Sequence, residues 1–359
     1  MKRIIIFPLF CSLLFANELE LLQKDKKELR QLEKEVIEKK YESSKDEWIG
    51  KINLNSSISK ERDFTDDETS DMTRSIGLSF SQSIYESGGI EYSIEYARQQ
   101  LKSDMLAWEN ENIALIQAIY ETLLEIKKLG LQIEQSDYSL KNKEIELILK
   151  RIQYEAGKVD IIELNNAIMS KNNQQKENIS LMNSLKDKEY ELSKYTTLKS
   201  NQIKILDFKI IHKDKFLKDN LNIRYENSKV ELLDTSYKQL KSSYLPQVSL
   251  NTSTTYTNNE NKEQNESGKI GISASMPIFD ITKDSKLEKS KLEVLKQKVN
   301  VTDMQNELIY EYEQILAQIN TYDEYEKTIQ NNLKLYEDLI MVNKSSNSAG
   351  MTADYDLEV

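Results

Sequence analysis

The sequence predicts a mainly helical chain with a small β part, assembled from two copies of one helix–strand–strand–long-helix unit. Three observations predict it: a composition nearly free of helix breakers, an internal repeat at an offset of 194 residues, and paired segments that alternate apolar and polar residues.

Of 359 residues, 30% are charged, only nine are Gly and three are Pro. So little punctuation leaves few places to end an element and points to very long helices. The formal charge of −11 weighs against a nucleic-acid partner and against anchoring on an anionic lipid surface.

Residues 1–16 read as an export signal. Lys2 and Arg3 precede an apolar run from Ile4 to Phe15, and Ala16 is a small residue before the polar Asn17-Glu18. The run is too short for a spanning helix, which needs about 20 residues. Cleavage is expected after Ala16. Cys11, the single cysteine, follows the bulky Phe10, which argues against lipidation. The mature chain then carries no cysteine and no transmembrane helix, and any entry into a membrane must be as a barrel.

The repeat is the strongest signal. Ile76-Gly77-Leu78-Ser79-Phe80-Ser81 matches Ile270-Gly271-Ile272-Ser273-Ala274-Ser275, and Ile84-Tyr85-Glu86 matches Ile278-Phe279-Asp280. At an offset of 193, Ala156-Gly157 matches Ala349-Gly350 and Glu163-Leu164 matches Asp356-Leu357. The chain divides into a first repeat (17–200), a linker (201–213) and a second repeat (214–359).

Each repeat opens with a polar helix, roughly 18–47 and roughly 214–243, followed by two strands. Ile52, Leu54 and Ile58 alternate with Asn53, Asn55, Ser57 and Ser59; Ile76, Leu78, Phe80 and Ile84 alternate with Gly and Ser. In the second repeat Val248, Leu250 and Tyr256 alternate with Ser, Asn and Thr, and Ile270, Ile272, Ala274, Met276 and Ile278 form the apolar face of the partner. Period-two alternation argues for strands. The second face is nearly uncharged, which suits lipid on one side and a wet lumen on the other. A soluble hairpin packed on a core alternates too. The segments Glu61–Thr73 and Asn258–Ser267 read as long, polar loops and favour the barrel.

A very long helix follows each strand pair, roughly 88–155 and 283–348. Ile90, Ile94, Ala97, Leu101, Met105 and Trp108 step by three and four, and Ile116, Ile119, Leu123, Ile126 and Ile133 continue the stripe. Such a segment makes ~100 Å of helix, a length suited to crossing a periplasm. Gly130 marks a candidate break. Gly157 is the candidate turn, a Gly in the left-handed conformation past a helix end, with a helix over about 159–196 running back. Gly350 takes the same place in the second repeat, but the chain ends nine residues later at Val359, so a returning helix is expected to be missing.

Taken together these residues resemble the TolC family of outer-membrane efflux proteins. The resemblance rests on Tyr244-Leu245-Pro246-Gln247-Val248 opening a strand and on Gly271-Ile272-Ser273-Ala274-Ser275-Met276-Pro277-Ile278-Phe279-Asp280 leading into a helix. It also rests on the two turn motifs around Gly157 and Gly350. The resemblance implies a homotrimer in which each protomer gives four strands to a shared 12-stranded transmembrane β-barrel and long helical hairpins to a shared periplasmic α-barrel. It implies an outer-membrane location, with a periplasmic adaptor protein and an inner-membrane pump as partners. On the same resemblance Gly157, Lys158, Val159, Gly350, Met351 and Thr352 are the expected adaptor contacts. Glu163 and Asp356 are the expected acids of the periplasmic aperture, each a ring of carboxylates after threefold repetition.

Enzyme chemistry finds little support. His212 is the single histidine, and without cysteine in the mature chain there is no His-based triad, no Cys nucleophile and no ordinary zinc set. No phosphate-cradling Gly loop is present, because Gly88-Gly89 reads as a strand-to-helix turn, and no cofactor is expected. His212 reads as a packing or surface residue between the repeats. The reading is a passive exit duct of a tripartite efflux or type I secretion system. A truncated, non-functional remnant of such a duct and a periplasmic coiled-coil or adaptor-type protein stand as alternatives.

Overall fold

The computed structural model describes residues 19–62, 70–206, 209–260 and 262–349. The expected signal segment with Cys11, the expected contacts Gly350, Met351 and Thr352, and the expected aperture acid Asp356 lie outside the described residues. In chain order the elements are α1 (Lys24–Lys45), β1 (Ile52–Arg62), β2 (Ser70–Tyr85), α2 (Gly89–Glu155), α3 (Ile161–Ser193), α4 (Lys213–Asp219), α5 (Leu221–Ser242), β3 (Gln247–Asn259), β4 (Lys262–Ser275) and α6 (Lys283–Ser348). Contacts divide the chain into a strand-bearing unit (31–110 and 218–306) and a helical unit (1–30, 111–217 and 307–359).

In the strand-bearing unit four antiparallel strands form one sheet in the order β1-β2-β3-β4. Register puts Leu54 opposite Leu78 and Ile52 opposite Phe80, so the apolar residues share a face. That face is open in the protomer: Ile52, Leu54, Ile270 and Ile272 are 73%, 67%, 79% and 72% exposed. A sheet that fully buries none of its described apolar side chains within its own chain must cover them elsewhere. The second face is stitched by side chains. Asn55 donates to the Ser79 hydroxyl at 2.9 Å, the Ser57 and Ser75 hydroxyls pair at 2.7 Å, and Ser81 donates to Asn251, which donates to Ser273, each at 2.8 Å.

One expected loop turns out to be mostly strand. β3 runs to Asn259 and β4 starts at Lys262, so most of Asn258–Ser267 is strand; of Glu61–Thr73, β1 takes 61–62 and β2 takes 70–73, and 63–69 lie outside the described residues. Polar composition was the wrong guide there. The ladder continues because the backbone groups pair whatever the side chains, and Asn259 donates to Thr73 across strands at 3.0 Å.

The internal repeat survives as backbone geometry at the strand-to-helix corners. Gly89 N–H donates to Glu86 O at 2.9 Å, and 194 residues on Lys283 N–H donates to Asp280 O at 3.1 Å. The first corner holds Ser87 at φ 52° and Gly88 at φ 91°. Such φ values suit Gly and are costly for Ser. The Ser87 hydroxyl donates to Pro246 O at 2.7 Å, which ties the corner to the start of β3.

The core of the helical unit is a stripe on α2, Ile116, Ile119, Tyr120, Leu123 and Ile126, whose members recur three or four residues apart on one helix face. It packs with Leu22, Leu192 and Ile203. Each such side chain contributes roughly 1.5–3 kcal/mol on full burial. Beside this core Arg30, 6% exposed, donates from Nε to Asn112 Oδ1 at 2.7 Å and from Nη1 to Glu111 at 2.6 Å. Lower on the hairpin, Asn178 of α3 donates to Asp137 at 2.7 Å and Gln174 to the Ser136 hydroxyl at 3.1 Å.

Two helical expectations are corrected. Gly130 breaks nothing: α2 is continuous through it, and a β-carbon there would meet no neighbouring atom within 4 Å. One Gly costs about 1 kcal/mol, which a helix of this length absorbs. The helix expected over 214–243 is split at Asn220 into α4 and α5. The Asn220 side chain caps α5, accepting from the N–H groups of Asn222 and Ile223 at 3.0 and 3.1 Å.

Candidate functional site

The first repeat ends in a tightly built hairpin tip. α2 terminates in a paired hydrogen-bond lock in which Lys158 N–H donates to Gln153 O at 2.8 Å and Gly157 N–H to Tyr154 O at 2.9 Å. Both bonds require the residue between them to turn left-handed, and Gly157 does so at φ 67°. Three residues later Asp160 starts α3, its carboxylate accepting from Glu163 N–H at 2.9 Å. The tip is therefore short because a complete stop signal and a complete start signal are almost adjacent.

Gly157 and Lys158 are exposed and Val159 is half-buried. Around them Ile152, Tyr154, Ile161 and Ile162 expose apolar side chains. A protruding tip with exposed apolar flanks and one ammonium is suited to contact with another protein.

Glu163 lies one turn into α3, and its carboxylate is not free. Lys150 of α2 reaches across the hairpin to it at 2.6 Å. Sequence reasoning missed Lys150. The signal was available: Lys150 stands seven residues before Gly157 and Glu163 six after, so the two meet when the chain folds back.

At the base of the sheet Asp280 joins β4 to α6. It accepts from Thr282 N–H at 2.8 Å, from the Thr282 hydroxyl at 2.6 Å and from the Tyr244 hydroxyl at 3.1 Å, with Lys286 at 3.4 Å. The Thr282 hydroxyl and N–H above all, helped by Tyr244 and Lys286, hold its carboxyl well below the usual carboxylate range. His212 is 81% exposed, a surface residue beside Asp214. Among the described residues no cluster of His, Cys, Asp or Glu could hold a metal ion, and no helix is long and apolar enough to cross a membrane.

Comparison with known families returns the outer membrane efflux protein family, whose profile matches residues 21–197 and again 214–359. The chain belongs to the outer membrane efflux protein family. The two matched stretches are the two repeats of element order described above. The family is one of outer membrane efflux proteins, and efflux at the outer membrane is the role of this chain.

Solved structures show the same fold at low identity. The Vibrio cholerae outer membrane protein VceC aligns with a TM-score of 0.77 at 11% identity, over 96% of this chain and 88% of that one. The Campylobacter jejuni outer membrane channel CmeC aligns at 0.70 and 16%, over 96% and 78%. The open state of the Neisseria gonorrhoeae MtrE outer membrane channel aligns at 0.71 and 14%, over 96% and 81%. No curated protein sequence matches the chain.

Proposed function

We propose that this efflux protein works as a homotrimer that closes a 12-stranded barrel and a helical tunnel, passing substrate passively from an inner-membrane pump and its periplasmic adaptor to the exterior. The observation that carries the reading is the four-stranded sheet. Its apolar face is exposed, its second face is a hydrogen-bonded layer of Ser, Asn and Thr, and among the described residues its edges β1 and β4 have no partner strand in the chain. In lipid an open edge strands a row of backbone donors and acceptors, so four strands are stable only when other copies complete the ring.

The helices support the same reading. On α6 Tyr322, Tyr325, Ile329, Leu333, Tyr336 and Ile340 recur every three or four residues, yet each is at least half exposed in the protomer. Such a stripe calls for further helices against it. The tip at Gly157, Lys158 and Val159 is the proposed adaptor contact of the first repeat, with Gly350, Met351 and Thr352 proposed for the second. Glu163 and Asp356 are the proposed aperture acids. Lys150 offsets the charge of Glu163 and weakens its share of any cation preference.

The deciding experiment is unboiled gel electrophoresis of outer-membrane fractions, followed by conductance measurements in planar bilayers. The reading expects a heat-modifiable trimer that opens steady channels. A monomer released with the periplasmic contents would overturn it.

A further inference from the structure

We propose that Lys269 forms an ion pair with Glu61 of the next copy and that this pair sets the register of the seam between β4 and the neighbouring β1; the inference rests on the trimeric barrel proposed above. Among the described side chains of the paired strands, Glu61 and Lys269 are the only charges on the wet face of the sheet. Every strand position around Lys269 on that face is neutral: Ser253 lies opposite, with Gly271 and Ser267 two residues away along β4. Both side chains are exposed, and neither has an ion-pair partner in its own chain among the described residues. They occupy the two strands with free edges, opposite in sign.

The internal register says where these edges meet. One row of directly opposed residues runs Asn53, Ser79, Ser253, Lys269 across the sheet. Asn53 is the second residue of β1, which enters at the base, whereas Lys269 is the seventh residue from the end of β4, which leaves at the base. The row is second from the base on β1 and seventh on β2, β3 and β4, so β4 is staggered by five residues from the β1 of its own chain. This is the stagger that tilted strands impose on a closing barrel.

Closing the ring carries that stagger of five residues, or slightly more, onto the next copy's β1, and only an even shift keeps wet face with wet face, which selects about six to eight residues above Asn53. Those positions are Ser59 and Glu61. A directly opposed Glu61 touches the ammonium, and from opposite Ser59 the lysine reaches it diagonally, within roughly 7–8 Å. Slippage by two residues in the wrong direction leaves both charges unpaired, so the pair selects the register rather than merely decorating it.

Cysteine pairs in the full chain test the geometry, since opposed strand positions approach closely enough for a disulfide. Lys269→Cys combined with Glu61→Cys or Ser59→Cys is expected to give a covalent trimer on non-reducing gels, and Lys269→Cys with Asn53→Cys to give none. Charge reversal tests the chemistry. Lys269→Glu and Glu61→Lys should each lower the temperature at which the trimer dissociates, and the double reversal should restore it. Cross-linking only through Asn53, or reversal without restoration, in a chain that still forms trimers overturns the pair and leaves the trimer standing. A native chain that gives no trimer overturns the trimer and the pair together.

Discussion

Lys150 and Glu163 close the first helical hairpin with a 2.6 Å ion pair placed almost symmetrically about Gly157. The acid is half exposed and the lysine about a third, so the pair stabilises the fold little, about 0.2–1 kcal/mol. Its larger consequence is electrostatic. Lys150→Ala should leave the trimer intact and increase its cation preference, read as a shift in reversal potential across a salt gradient. Glu163→Gln should decrease it. Equal reversal potentials in the three proteins would show that Glu163 does not face the permeation path.

Gly157 adopts a conformation that L-residues avoid. Gly157→Ala should cost about 1–2 kcal/mol, and Gly157→Asn less, because no atom crowds the site and only φ is at issue. Amide exchange at Lys158 and Gly157 should accelerate in the same order.

Arg30 is buried against Asn112. Arg30→Ala strands a buried amide and should cost about 1–3 kcal/mol, whereas Lys39→Ala, which removes a solvent-exposed pair with Glu42, should leave the melting temperature essentially unchanged. Thermal unfolding of the detergent-solubilised protein compares them.

On β1 neighbouring residues face different solvents. Leu54→Lys should impair insertion, since a cation on the lipid face costs about 2–4 kcal/mol near the midplane. Asn55→Lys, one residue along on the wet face, should be inserted normally. Outer-membrane yields of the two variants separate the faces.

Asp280 links corner geometry to pH. Its carboxyl is depressed when folded, so the stability it contributes is complete above the unfolded carboxylate pKa of about 4 and is lost only as pH falls below that. Asp280→Asn should lower the melting temperature at neutral pH and bring it towards the native value in strong acid. A constant difference across that range would show that the carboxylate charge is not what holds the corner.

Gly157, the long helices and the alternation of β1 were legible because each is a local signal. A left-handed cap needs Gly, a stripe repeats every three or four residues, and a strand alternates by two. Lys150 opposite Glu163 was not, since two charges thirteen residues apart meet only if the turn is known to be tight. The hairpin at Asn258–Ser267 was misread because polar side chains say little about a backbone ladder. Asn220 was missed because an Asn cap inside a helical pattern differs little from a solvated Asn.

By itself the sequence determined the repeat, the element types and the two unlike faces of the sheet, all of which follow from periodicity in the backbone. Only the tertiary structure decided which residue stands opposite which. The row from Asn53 to Lys269, the Lys150–Glu163 pair and the Asp280 corner depend on register and on chain reversal. Hydrogen-bond geometry sets those relations between segments far apart in the chain, and no local pattern encodes them.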